Sequence, residues 1–203
     1  MAKVKIYAIK CVILQAESDN CYIMTAPEYI QLKAYARQDG FFLALLWTAS
    51  FACYILGITN QMLGMLALGL AVMTPFFVAG RLRKFRDEGR EGLISFGRSY
   101  AYTIFVFFYG AVLLAVVQFL YFAYVDNGYL LNSFSRMMSS EEGQELINQY
   151  GMKQMMEEGL AEMANIRPID YALNILTVNI IFGFILGVPI GLVMQRSQIN
   201  NKS

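Results

Sequence analysis

Four stretches of this chain run without a single Asp, Glu, Lys or Arg for about the length that carries a helix across a bilayer. They are residues 41–58 (FFLALLWTASFACYILGI), 62–80 (MLGMLALGLAVMTPFFVAG), 100–125 (YAYTIFVFFYGAVLLAVVQFLYFAYV) and 171–194 (YALNILTVNIIFGFILGVPIGLVM). A spanning helix needs roughly 20 apolar residues. A barrel strand is about half as long and alternates polar with apolar residues, which these runs do not. Hydrocarbon offers backbone groups no partner outside the element, so the runs must be helices. The expectation is an all-α integral membrane protein with four transmembrane helices. The composition agrees: 57% of residues are hydrophobic and 15% charged, against about 25% charged in a soluble domain.

The first two spans are joined only by Thr59, Asn60 and Gln61. So short a link predicts an antiparallel hairpin, with Gly57 closing the first helix and Asn60 capping the second. Spans three and four form a second hairpin around a long loop, 126–170. Between the hairpins lies RLRKFRDEGREGLISFGRS, Arg81–Ser99, with six basic and three acidic residues. Gly89, Gly92 and Gly97 predict a turn there, and then a short interfacial piece feeding span three. From Met24 onward this side of the membrane carries ten Lys and Arg, while the other side carries three: Arg136, Lys153 and Arg167. Cytoplasmic loops retain basic residues. Both termini and the charged run are therefore expected in the cytoplasm.

The long loop holds three basic and eight acidic residues. Ser139 and Glu142 stand at capping-box spacing, and Gly151 suits a helix stop. Met152, Met155, Met156, Leu160 and Met163 then share one helical stripe, and Pro168 starts the fourth span. Two short helices are expected. At the other end, Thr25 and Glu28 form a capping box and Pro27 sits in the first turn, leading a helix into span one. Residues 1–23 make a poor signal peptide and are read as an extension outside the native protein. The single domain is then 24–194, followed by a cytoplasmic tail, 195–203.

Several features compete as sites. Gln118 and Asn179 lie at matching depth, roughly 10–12 Å from one face at 1.5 Å per residue. They are expected to bond to each other across the helices, as glue rather than as a transport path, since ionisable groups are missing. Gly183, Gly187 and Gly191 form a G-x-x-x-G-x-x-x-G face for close helix packing. Pro75 and Pro189 should kink spans two and four. Met137, Met138 and the methionine stripe could take Cu(I), but helical spacing alone explains them. The acidic residues Glu141, Glu142, Glu145, Glu157, Glu158 and Glu162 show no cation-loop spacing and read as a solvated face. The charged run lacks the lysine and Ser/Thr of a phosphate-binding loop. It can meet anionic headgroups, although Asp87, Glu88 and Glu91 can pair with its arginines instead.

There is no histidine, and the three cysteines (Cys11, Cys21, Cys53) match no metal motif. The commonest general base and the His-based nucleophile pairs are thus excluded. The expectation is a protein that is not an enzyme, with no cofactor, no metal and no nucleic-acid partner.

QLKAYARQDGFFLALLWTASF, TPFFVAGRLRKFRDEGREGLISFGRSY and ALNIL together resemble a bacterial membrane-protein family called domain of unknown function 4199, over about residues 24–194. The loop carries the most specific part, on Phe85, Arg86, Asp87, Gly92, Ile94, Ser95, Phe96 and Gly97, and Arg81, Arg83 and Lys84 belong to the same cytoplasmic loop motif. The resemblance implies a multi-pass inner-membrane protein and supplies no catalytic residue. Family members often stand beside a membrane glycosyltransferase, which implies a shared envelope pathway for glycan or lipid-linked sugar. The expected function is an accessory or scaffold subunit in contact with membrane lipids and a membrane protein partner. The alternative is a small transporter or lipid-handling carrier acting as a homo-oligomer, with a polar cavity that Gln118, Asn174, Thr177 and Asn179 could line.

Overall fold

The first long helix begins well before its apolar run. In the computed structural model, which describes residues 24–196, α1 is Ala26–Gly57. Glu28 reaches back to accept the Thr25 backbone N–H at 3.0 Å, and Pro27 occupies the first turn. The polar lead-in and the span are thus one helix. The extension 1–23 and the tail beyond Arg196 lie outside the described residues.

The second span is two helices, α2 (Gln61–Val72) and α3 (Thr74–Gly89). Asn60 Oδ1 accepts the Met62 N–H at 3.1 Å and starts α2. Pro75, having no N–H to give, stands in the first turn of α3, and the helix is interrupted just before it, at Met73. The interruption is mild, because Phe77 still donates to the Met73 carbonyl at 2.9 Å. The charged run differs from its expected form. Arg81 to Gly89 is helical, and the turn comes later, with Glu91 and Gly92 at φ 51° and 82°. Ile94 and Arg196 then exchange backbone hydrogen bonds at 2.9 and 2.8 Å. Phe96 already belongs to the next helix, so no separate interfacial piece exists.

That helix, α4 (Phe96–Tyr124), is central. Its buried residues include Ser99, Thr103, Val106, Gly110, Leu114 and Gln118, a helical stripe that matches its position between two neighbours. Three short helices follow where two were expected: α5 (Tyr129–Ser139), α6 (Glu141–Tyr150) and α7 (Lys153–Asn165). Asp126 starts α5 by accepting the Gly128 and Leu130 N–H groups, both at 3.1 Å. Ser139 ends that helix, so the cap of α6 is Ser140 instead, whose Oγ accepts the Gly143 N–H at 3.1 Å. Gly151 closes α6 with φ 64°. The methionine-striped α7 buries no residue. Pro168 opens α8 (Pro168–Met194), which continues through Pro189.

Four of these segments are long and apolar enough to cross a membrane: α1, α2 with α3, α4, and α8. α4 packs on both α1 and α8, while α2 leans chiefly on α1. Close approach sets the spacing. A Cβ on Gly40 would lie 2.6 Å from Tyr109 Cβ, and one on Gly183 would lie 2.6 Å from Phe107 Cβ. The Gly183, Gly187 and Gly191 face meets Phe107, Tyr100 and Phe96, so its packing partner is α4 of the same chain.

Candidate functional site

At one end of the bundle the charged run clasps the long helices together. Asp39 of α1 is only 2% exposed. It accepts hydrogen bonds from Arg81 of α3 and from the Tyr102 hydroxyl of α4. The Tyr102 ring stacks on Phe85, with centroids 4.9 Å apart. A charge out of water must be paired and hydrogen-bonded to persist, and Asp39 is both. Glu28, ahead of the apolar part of α1, accepts from Arg90 at 2.7 Å and from Arg98 at 2.8 Å. The Thr25 N–H, helped by Arg90, holds the Glu28 carboxyl down at about 2 against an opposing effect of burial. Arg86 is also buried. It donates to Asp87 at 2.8 Å and to the Met194 carbonyl, at the end of α8, at 3.3 Å. Arg83 and Lys84 stand on the open side, facing Asp87 and Glu88 at 3.8 and 3.9 Å. Ser95 marks the N-cap of α4, and Gly97 faces open space. These contacts fasten the helices to one another.

Toward the other end the bundle opens around a cavity of about 850 Å3. Trp47, Phe51 and Tyr54 of α1 wall one side, and Ala67, Leu68 and Ala71 of α2 another. Phe107 and Leu114 of α4, Ile175, Phe182 and Leu186 of α8, and Phe134 and Met137 of α5 complete it. The break in the second span lies on its rim, where Thr74 Oγ1 accepts the Trp47 indole N–H at 2.9 Å. Ser50 spends its hydroxyl on the Ala67 carbonyl, also at 2.9 Å. Among the described residues, none that carries a charge lines the cavity.

Gln118 and Asn179 both reach this cavity but do not bond to each other, contrary to the expectation. Asn179 Nδ2 donates to the Ile175 carbonyl of its own helix at 2.9 Å. Gln118 is 4% exposed, and its Oε1 has no partner. The i−4 carbonyl is always within reach of a helical Asn and competes with any partner across the bundle. Asn174 and Thr177, also considered as lining residues, are exposed and not on the cavity wall.

The family model described as protein of unknown function (DUF4199) matches residues 38–196. The chain belongs to this family. No curated protein and no solved structure matches it.

The DUF4199 match opens at Gln38 rather than Met24, so it takes in Asp39 and Arg81 but not Glu28. Two features of this DUF4199 chain went unread in its sequence. One is the Asp39 pair. Its signal was available: Asp39 is the last charged residue before span one and Arg81 the first after span two, and they carry opposite charges. The other is the approach of α1 to α2, where a Cβ on Gly57 would lie 2.5 Å from the Gly64 nitrogen. Among the described residues, no three His, Cys, Asp or Glu side chains gather to hold a metal.

Proposed function

We propose that this protein holds a lipid chain within the membrane, as a non-catalytic lipid-handling protein of the bacterial inner membrane. The cavity carries the reading. Its volume of about 850 Å3 falls in the range of small-molecule sites, about 300–1,000 Å3. Its wall is mostly apolar, and it lies between segments that themselves belong in lipid. The orientation rests on the ten-to-three basic asymmetry: two hairpins, with both termini and the clasp at the cytoplasmic face. That puts the cavity toward the other leaflet.

The test is purification in mild detergent, followed by extraction and mass spectrometry of what remains bound. One lipid per protein is expected, and Ala71→Phe, which projects a ring into the cavity, should remove it. The accessory-subunit reading draws on the open face of α2, where Met62, Met65, Leu66 and Leu68 are exposed. A stoichiometric membrane protein in the same sample, with no lipid, would move the assignment there, and a glycosyltransferase is the partner to look for.

A further inference from the structure

The cavity wall includes one buried acceptor without a donor. Gln118 Oε1 is buried and unpartnered. Asn179 has committed an amide N–H to Ile175, which leaves its carbonyl oxygen as spare accepting capacity. Ser50 gives its proton to Ala67. An unsatisfied buried acceptor raises the free energy of the empty site, and a ligand that donates to it removes that cost. Among the described residues no charged side chain lines the wall, so a charged group at this depth would have nothing there to balance it.

Resting on the lipid-binding reading above, we propose that the ligand is an uncharged lipid bearing a free hydroxyl, inserted so that the hydroxyl donates to Gln118 with Asn179 alongside. A hydroxyl both donates and accepts, so it satisfies an amide presented by either end. An ether or an ester can only accept, and leaves Oε1 without a partner. A phospholipid keeps its charged head at the interface and contributes only its chains.

Trp47 is the only tryptophan of the chain and lies on the cavity wall, which supplies a reporter. Dibrominated stearyl alcohol and its methyl ether would be titrated into the purified full chain in detergent at equal micellar mole fractions, reading quenching of Trp47. The expected result is quenching by the alcohol at about fivefold lower mole fraction than by the ether, the scale of one membrane-buried hydrogen bond. Gln118→Leu, which conserves bulk, should erase the preference. Equal quenching by alcohol and ether in the unaltered protein would overturn the hydroxyl assignment while leaving lipid binding intact. Quenching by neither would overturn both. Dibrominated phosphatidylcholine quenching as well as the alcohol would assign the site to phospholipid chains and also overturn the proposal.

Discussion

The two ends of the bundle solve the same problem in opposite ways. At the clasp the charged groups taken out of water are answered, Asp39 by Arg81 and Tyr102 and Arg86 by Asp87 and the end of α8, and only the small Ser99 hydroxyl is buried there without a partner. At the cavity, Gln118 is taken out of water and left unanswered. The clasp packs Val78, Leu82, Phe85 and Tyr102 with almost no exposure, while α2 buries only Ala67. Completed polar networks specify a single arrangement, and incomplete ones leave something for a ligand to complete. The contrast separates a part of the molecule built for shape from a part with capacity to bind.

The sharpest way to break the contrast is at Asp39. Asp39→Ala strands Arg81 and the Tyr102 hydroxyl, and loss of one member of a buried pair costs about 3–5 kcal/mol. Unfolding of the purified protein in detergent should show a loss of this order. A loss below about 1 kcal/mol, the scale of exposed pairs, would mean that the clasp is no stronger than a surface contact. Next come the glycines. Gly183→Ala drives a methyl against Phe107 and should destabilise by about 1–3 kcal/mol. Gly69→Ala, on the open face of α2 where nothing lies within 4 Å, should be neutral or stabilise by up to about 1 kcal/mol. If both variants unfold alike, the distinction between packed seam and open face fails.

Acid titrates the clasp. With its carboxyl held at about 2 rather than the ordinary 4.5, Glu28 binds protons less readily folded than unfolded. Its contribution is therefore complete above about pH 4.5 and fades as the pH falls toward 2. Melting temperatures of the unaltered protein and of Glu28→Gln should differ at neutral pH and converge in that window. A gap that persists at the acid end would assign the effect to packing. The smallest expected effect is at the cavity rim. Thr74→Val removes the acceptor of the Trp47 N–H and should cost about 0.6 kcal/mol, a typical interhelical hydrogen bond in a membrane. The emission of Trp47 should shift to the blue.

Sequence carried the four spans because uncharged length is a one-dimensional property. It carried the Gly183–Gly187–Gly191 face because a missing Cβ acts wherever it stands. It failed where rotation about a helix axis decides. Gln118 and Asn179 were placed level by counting rise, but level residues bond only if both turn toward each other, and Asn179 found its own i−4 carbonyl. It also failed on the number of short helices, because α5 opens on an Asp126 turn and shares its last serine with the capping-box pattern of α6. The cavity was legible only in two of its polar residues, Gln118 and Asn179, while its size and its apolar wall were not, since a void is set by how far the helices stand apart and no residue records that distance.

The reach from Arg86 to Met194 spans 108 positions of the chain, and that separation is also an interval of time. At ordinary translation rates the arginine is made on the order of ten seconds before the carbonyl that receives it. Until then a guanidinium destined for burial has only Asp87 to meet. The Asp39 and Glu28 pairs can close as soon as α4 is made, but the Arg86 contact cannot form before the last span is complete, and a chain halted short of Met194 would carry an unfinished latch.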